Sequence, residues 1–202
     1  TPIDDSLPLV GVTSLGNTCL SYIRLLKPAL EQRGFSVAVF HSTGMGGRAF
    51  ETLASSGRFA VVFDLCMQEL GNELMGSMVS SGPDRLQNAG HRGIPQIVAP
   101  GAADLIDWPT WQAMPTKWCS RPIHVHNKLI SSLTMNLEER KLLAHAMAQR
   151  LNAAKGPVHV ILPLKGVEAW DRESEVAHAP EDLAGFLETL RNELDQQVAT
   201  TV

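Results

Sequence analysis

The sequence predicts an α/β fold: a doubly wound, mostly parallel sheet of Rossmann-like or flavodoxin-like type, in a single domain. Three observations carry this reading. Short β-type runs alternate with helical runs along the chain, the rhythm of right-handed crossovers with helices on both faces of a sheet. The run Ala60–Leu65 (AVVFDL) is apolar up to its acid, as a central parallel strand should be. The 202 residues, 44% hydrophobic and 19% charged, suit one globular domain and exclude low-complexity disorder.

The elements follow in order. Leu9–Thr13 (LVGVT) is the first strand. A helix over Cys19–Gln32 places Leu20, Ile23, Leu26 and Leu30 on one stripe, is stopped by Gly34 and is expected to kink at Pro28. Val37–His41 is the second strand. The second helix, Gly46–Ala54, closes at Gly57, and Ala60–Leu65 is the third strand. Met67, Leu70, Leu74 and Met78 form a helical stripe read as core. A shorter helix over Asp84–His91 precedes the fourth strand, Ile94–Ala99. Leu137–Leu151 is the clearest helix, with Asn136 and Glu139 in capping-box position and Gly156 beyond its end. Val158–Leu162 reads as the last buried strand. A closing helix carries Leu183, Phe186, Leu190 and Leu194, with Pro180 near its start. The segment Gly101–Pro122, with three prolines and Trp108, Trp111 and Trp118, reads as a long loop. Two readings stand for it: a functional loop, or a satellite hydrophobic cluster covering the sheet.

Composition narrows the function. Seventeen Lys and Arg against 21 Asp and Glu give a net charge of -4, which argues against a nucleic-acid binder. A small anion remains compatible, since backbone amides bind phosphate without net positive charge. No apolar run approaches the ~18 residues of a membrane span, and no signal-type segment follows the N-terminus, so no membrane partner is expected. Cys19, Cys66 and Cys119 are odd in number without a CxxC, which leads to the expectation of a reducing, cytoplasmic setting. The opening Thr-Pro-Ile, without an initiator Met, is the expectation for a processed or excised fragment.

Ligands of open α/β sheets bind beyond the carboxyl ends of the strands. There the sequence places Ser14-Leu15-Gly16-Asn17-Thr18, then His41-Ser42-Thr43-Gly44-Met45-Gly46-Gly47-Arg48, then Asp64, Pro100-Gly101-Ala102 and Leu164-Lys165-Gly166. The glycine segment is the strongest local signal. Gly44, Gly46 and Gly47 lead into a helix N-terminus and would cradle phosphate, with Thr43 and Arg48 as further donors. Gly44, Gly46 and Ala49 also fit G-x-G-x-x-A, with Asp64 in the position of a ribose-binding acid. That match supports an NAD(P)-dependent oxidoreductase as an alternative, and a plain tight turn as another. No Walker A motif occurs.

Other constellations are weaker. His124 and His126 would share a strand face, and with Asp104, Asp107 or Cys119 could be drawn as a metal set, but nothing in the spacing forces one, and no metal site is expected. His41 is placed near a ligand, and His145 on a surface. No nucleophile elbow is present. Cys66 reads as a buried small residue, and Asp84-Arg85 as a helix cap that presents a cation or is merely structural.

Taken together, several stretches resemble a known family. They are Gly11-Val12-Thr13, His41 through Glu51, Ser81-Gly82-Pro83-Asp84-Arg85-Leu86, Gly93 through Ala102, His126-Asn127, and Gly156-Pro157-Val158 through Gly166. The chain resembles the second, C-terminal subdomain of an uncharacterised bacterial and fungal family related to the ATP-binding N-terminal domain of the tomato mosaic virus resistance protein. Lys128 departs from the proline expected after His-Asn. The resemblance implies a two-subdomain protein of about twice this length that binds ATP with Mg²⁺ between its halves. It places His126 and Asn127 along the crevice, with Asp64 holding a ribose hydroxyl or a Mg²⁺-bound water. The N-terminal subdomain is then a partner. Without it, the tryptophan-rich segment would expose an apolar face, and a homo-oligomer is expected. A non-catalytic interaction domain stabilised by nucleotide is a third reading. No reaction is implied.

Overall fold

A computed structural model describes residues 6–125, 127–175 and 177–202. The elements run β1 (Leu9–Ser14), α1 (Gly16–Glu31), β2 (Ser36–His41), α2 (Met45–Ser55), β3 (Val61–Asp64), α3 (Gln68–Met75), α4 (Asn88–His91), β4 (Gln96–Val98), β5 (Leu105–Pro109), β6 (His124–Val125), β7 (Ile130–Thr134), α5 (Leu137–Asn152), β8 (Val158–Ile161), α6 (Pro180–Glu193) and β9 (Ala199–Thr201).

Six strands form one parallel sheet in the order β2-β1-β3-β4-β8-β9. The order reverses at β1: the chain leaves β1 for β2 on one side and crosses back to β3 on the other. This is the flavodoxin-like form of the doubly wound fold, with its switch point between β1 and β3. All six residues of β1 are buried. Its side chains alternate between two faces. Val10 and Val12 pack with Ile23 and Leu30 of α1, while Leu9 packs with Phe50 and Ala54 of α2 and with Phe59. Gly11 faces the same aromatic group, where a Cβ would stand 2.8 Å from the Phe59 ring. The largest core joins α3, α5 and α6 to Val98, Val158 and Val160. The capping box of Asn136 and Glu139 is formed at the start of α5, and Pro180 opens α6.

Several expectations are corrected. α1 starts at Gly16 rather than Cys19 and continues through Pro28 to Glu31. The stripe through Met78 ends early, because Gly76 takes a left-handed conformation and stops α3 at Met75. Val158–Ile161 is not the last strand, since β9 adds beside it. Most of the change lies in Gly101–Pro122. Leu105–Pro109 pairs antiparallel with β7, which also pairs with β6, giving a second, three-stranded sheet. Trp118 is fully buried in the main core, with Trp108 packed against it edge-on at 5.6 Å. Of the three rings only Trp111 is exposed. Trp118 and Pro109 thus build core, Trp108 covers it, and Trp111 and Pro122 stay at the surface.

Candidate functional site

The switch point is framed by the turns after β1, β2 and β3. Ser14 is the register partner of His41, and the Ser42 amide donates to the Ser14 carbonyl at 2.9 Å, so the first two turns lie side by side. Each leads directly into a helix. α1 begins after Leu15 without a side-chain cap and with no acid in its first turn; Gly16 has φ +59° and open space beside it. α2 begins after Gly44, whose φ of +99° only glycine adopts without strain. Two helices therefore start from the carboxyl ends of neighbouring strands, on opposite faces of the sheet, and each N-terminus favours an anion.

The interior behind these turns is an ionic hub. Arg85 is fully buried and uses every guanidinium N–H. Nε donates to Glu69 at 3.0 Å, Nη1 to Glu51 and Asp64, and Nη2 to Asp64 at 2.6 Å and to the Cys66 carbonyl at 2.7 Å. Thr13 Oγ1 donates to Asp64 at 2.7 Å and accepts from the Leu65 and Cys66 amides, tying β1 to β3. Glu51 takes the amides of Leu86 and Asn88. Glu69 Oε1 takes the amides of Gly44 at 2.6 Å and Gly47 at 3.0 Å. Burial pushes the carboxyls of Glu51 and Glu69 above the usual range, against the pull of Arg85. Burial opposes the charge of Arg85, but Asp64, Glu51 and Glu69 outweigh it and hold the cation firmly protonated.

The expected site residues divide accordingly. Thr43 and Arg48 are exposed, as is His41. Gly46 is half-buried, with its α-carbon against the chain: a Cβ would meet the His41 carbonyl oxygen at 1.8 Å. The amides of Gly44 and Gly47 are directed inward to Glu69, and both oxygens of Asp64 are engaged by Arg85 and Thr13. Asn127 is exposed; its Oδ1 accepts from the Leu129 and Ile130 amides and shapes the β6–β7 turn. His126 lies outside the described residues, and so does the question of the His124–His126 pair. Ser42, and Ser81 next to the Ser80 carbonyl that faces Gly44, have buried hydroxyls without a hydrogen-bond partner among the described residues.

Sequence reading missed the hub. One signal was available: Gly47, Phe50, Glu51 and Ala54 have the spacing of one helical stripe, which puts an acid on the buried face of α2. Arg85, read as presenting a cation, points inward instead. Glu69 carries no such mark.

A second polar cluster sits at the carboxyl edge of β4 and β8. Asp104 pairs with Arg140 at 2.8 Å, and Glu168 feels Asp104, Asp171, Arg140 and Asp107. Burial pushes Asp104 up to about 6 and Glu168 up to about 9, Asp104 and Asp171 adding to the rise at Glu168. Among the described residues no group of three or more His, Cys, Asp or Glu converges to hold a metal ion. No described helix is long and apolar enough to cross a membrane.

Comparison with known proteins gives a consistent result. The Uncharacterised protein family (UPF0261) C-terminal domain matches residues 7–202. A UPF0261 protein of Brucella melitensis is 53% identical over 184 residues, 91% of this chain and 44% of the relative. A UPF0261 protein of Clostridium tetani is 35% identical over 189 residues, 94% of this chain and 46% of the relative. The ToMV resistance protein Tm-1(GCR237) of Solanum lycopersicum is 33% identical over 172 residues, 85% of this chain and 23% of the relative. The chain thus spans less than half the length of these relatives.

Proposed function

The chain belongs to the uncharacterised protein family UPF0261, as its C-terminal domain, and from that premise we propose that it is a nucleotide-binding domain whose site is the crevice at the switch point. The observation that carries the reading is that α1 and α2 start from the carboxyl ends of the adjacent strands β1 and β2, beside the strand reversal, with the two turns joined by the Ser42–Ser14 hydrogen bond. First-turn amides have no acceptor within their own helix. Those of Met45 and Gly46, and those opening α1, can hold phosphate oxygens, with Thr43 and Arg48 adding a hydroxyl and a charge. ATP is the proposed ligand. Asp64 does not fit a metal-holding role, because both of its oxygens are already bonded. A magnesium ion in this reading arrives with the nucleotide, held by its phosphates and water. The oxidoreductase alternative loses its support in the fingerprint, since the Gly44 and Gly47 amides and Asp64 all serve the interior. Binding between two halves of a longer protein, self-association of the isolated domain and a cytoplasmic setting belong to the same proposal. The last rests on three free cysteines.

Calorimetric titration tests the reading. ATP and tripolyphosphate should bind the chain, and Arg48→Ala should weaken both about 10-fold, the order of one charge-assisted hydrogen bond, with adenosine affinity unchanged. Equal ATP affinity in the wild type and Arg48→Ala would move the phosphate site elsewhere, and no binding of ATP at all would remove the reading.

A further inference from the structure

The first turn of α2 has the makings of an oxyanion seat. Gly44 supplies the positive φ, and the 11-residue helix presents its N-terminal amides at the carboxyl edge of the sheet. The inner half of that seat is already filled from within the chain. Glu69 Oε1 accepts from the Gly44 amide at 2.6 Å and the Gly47 amide at 3.0 Å, and Oε2 accepts from Arg85 Nε at 3.0 Å. Two backbone amides and a guanidinium N–H on one carboxylate are the partners a phosphate group would recruit. The fit is close: a Cβ on residue 47 would stand 1.7 Å from Glu69 Oε2, so glycine at that position is required by the carboxylate. Glu69 itself is fully buried.

We propose that Glu69 is the resident anion of this seat and a specificity-determining residue, whose carboxylate bars phosphate and pyrophosphate groups from the inner amides. The ligand that the seat would otherwise take is an oxyanion. Its place is held by steric occupation and by like charge, and both effects have the same sign. Where the nucleotide reading above holds, a phosphorylated ligand meets only the outer amides of Met45 and Gly46, with Thr43, Arg48 and the start of α1. A dinucleotide pyrophosphate, which needs the whole glycine turn, is refused.

The experiment titrates inorganic phosphate and pyrophosphate into the wild-type chain, Glu69→Gln and Glu69→Ala, with ATP in parallel. Emptying the seat should tighten pyrophosphate binding at least 10-fold in Glu69→Ala, with a smaller gain in Glu69→Gln, which keeps the volume and loses the charge. If Glu69→Ala is too unstable to titrate, its melting temperature carries the test. Phosphate and acetate should raise it above the value in chloride of equal ionic strength, and by more than they raise the wild type. The absence of both the affinity gain and the oxyanion-specific stabilisation overturns the proposal. The ATP arm separates the two ideas. A wild type that ignores ATP while Glu69→Ala gains pyrophosphate removes the nucleotide reading and leaves the role of Glu69 standing. ATP binding by the wild type with no gain in either variant does the reverse.

Discussion

Arg85 is the residue on which three chain segments meet. It joins Asp64 at the end of β3, Glu51 of α2 and Glu69 of α3, and lies 5.7 Å from the centre of the Phe50 ring. One guanidinium faces three carboxylates, so its removal leaves buried charge without a partner. Arg85→Met should destabilise the domain by about 3–5 kcal/mol, the usual result of breaking a buried ion pair from one side. Urea unfolding measures this, and a loss within 1 kcal/mol of zero would mean that the acids find other partners. Arg85→Lys should not restore stability, because an ammonium cannot reproduce the five-donor fork. The same residue-scale geometry explains why Arg48, rather than a glycine, is the informative position for ligand binding. Any side chain at Gly46 drives into the His41 carbonyl and would disturb the turn itself.

Among the elements, the segment between β4 and β7 adds to the core through β5 and Trp118, while Trp111, Ile123, Val125 and Leu129 are exposed. It contributes β5 and β6, the two edges of the second sheet, and a short 3₁₀ turn over Thr116–Trp118 that delivers Trp118 to the interior. The indole N–H of Trp118 donates to Glu139 at 3.0 Å, and Arg121 pairs with the same carboxylate. Glu139 in turn closes the capping box of α5, and its carboxyl is held below the usual range: burial opposes the charge, and Arg121 and Trp118 outweigh it. One acid therefore fastens the β5–β6 connection to the start of a helix. Trp118→Ala should cost about 3–5 kcal/mol, as for other fully buried large rings, and thermal unfolding followed by circular dichroism checks it. A near-neutral result would return this segment to the status of a surface loop.

At the scale of the whole molecule, the second acid cluster gives stability a defined pH dependence. Burial, together with Asp104 and Asp171, raises Glu168 to about 9, and burial raises Asp104 to about 6. Unfolded carboxyls titrate near ~4. Between these values the folded chain holds protons that the unfolded chain has released. The contribution of these groups is complete below about pH 4 and is lost as pH rises through the folded values. Melting temperature should therefore fall from about pH 4 to about 9, more steeply below about 6 where both groups contribute, and Glu168→Gln should flatten the slope above about 6. An unchanged slope in Glu168→Gln would assign the dependence to other groups.

The layering of the main sheet and its helices was legible in the residues themselves. Alternating apolar runs fixed a doubly wound parallel sheet, because burial on both faces leaves strands continuously apolar and helices striped, and both patterns are local. The capping box at Asn136, the proline opening α6 and the glycine turn at Gly44–Gly47 were legible for the same reason: each is a short-range backbone requirement. What the glycine turn holds was decided only by the tertiary structure. Gly44 and Gly47 receive Glu69 from 25 and 22 residues away, and Asp64 receives Arg85 from 21 residues away. No periodicity announces such pairs, since a carboxylate on a buried helix face reads like one on an exposed face until its partners are in place. β9 and the β5-β7-β6 sheet escaped for a related reason: short strands pair through contacts distant in the chain, and their pairing depends on the surface the rest of the fold provides.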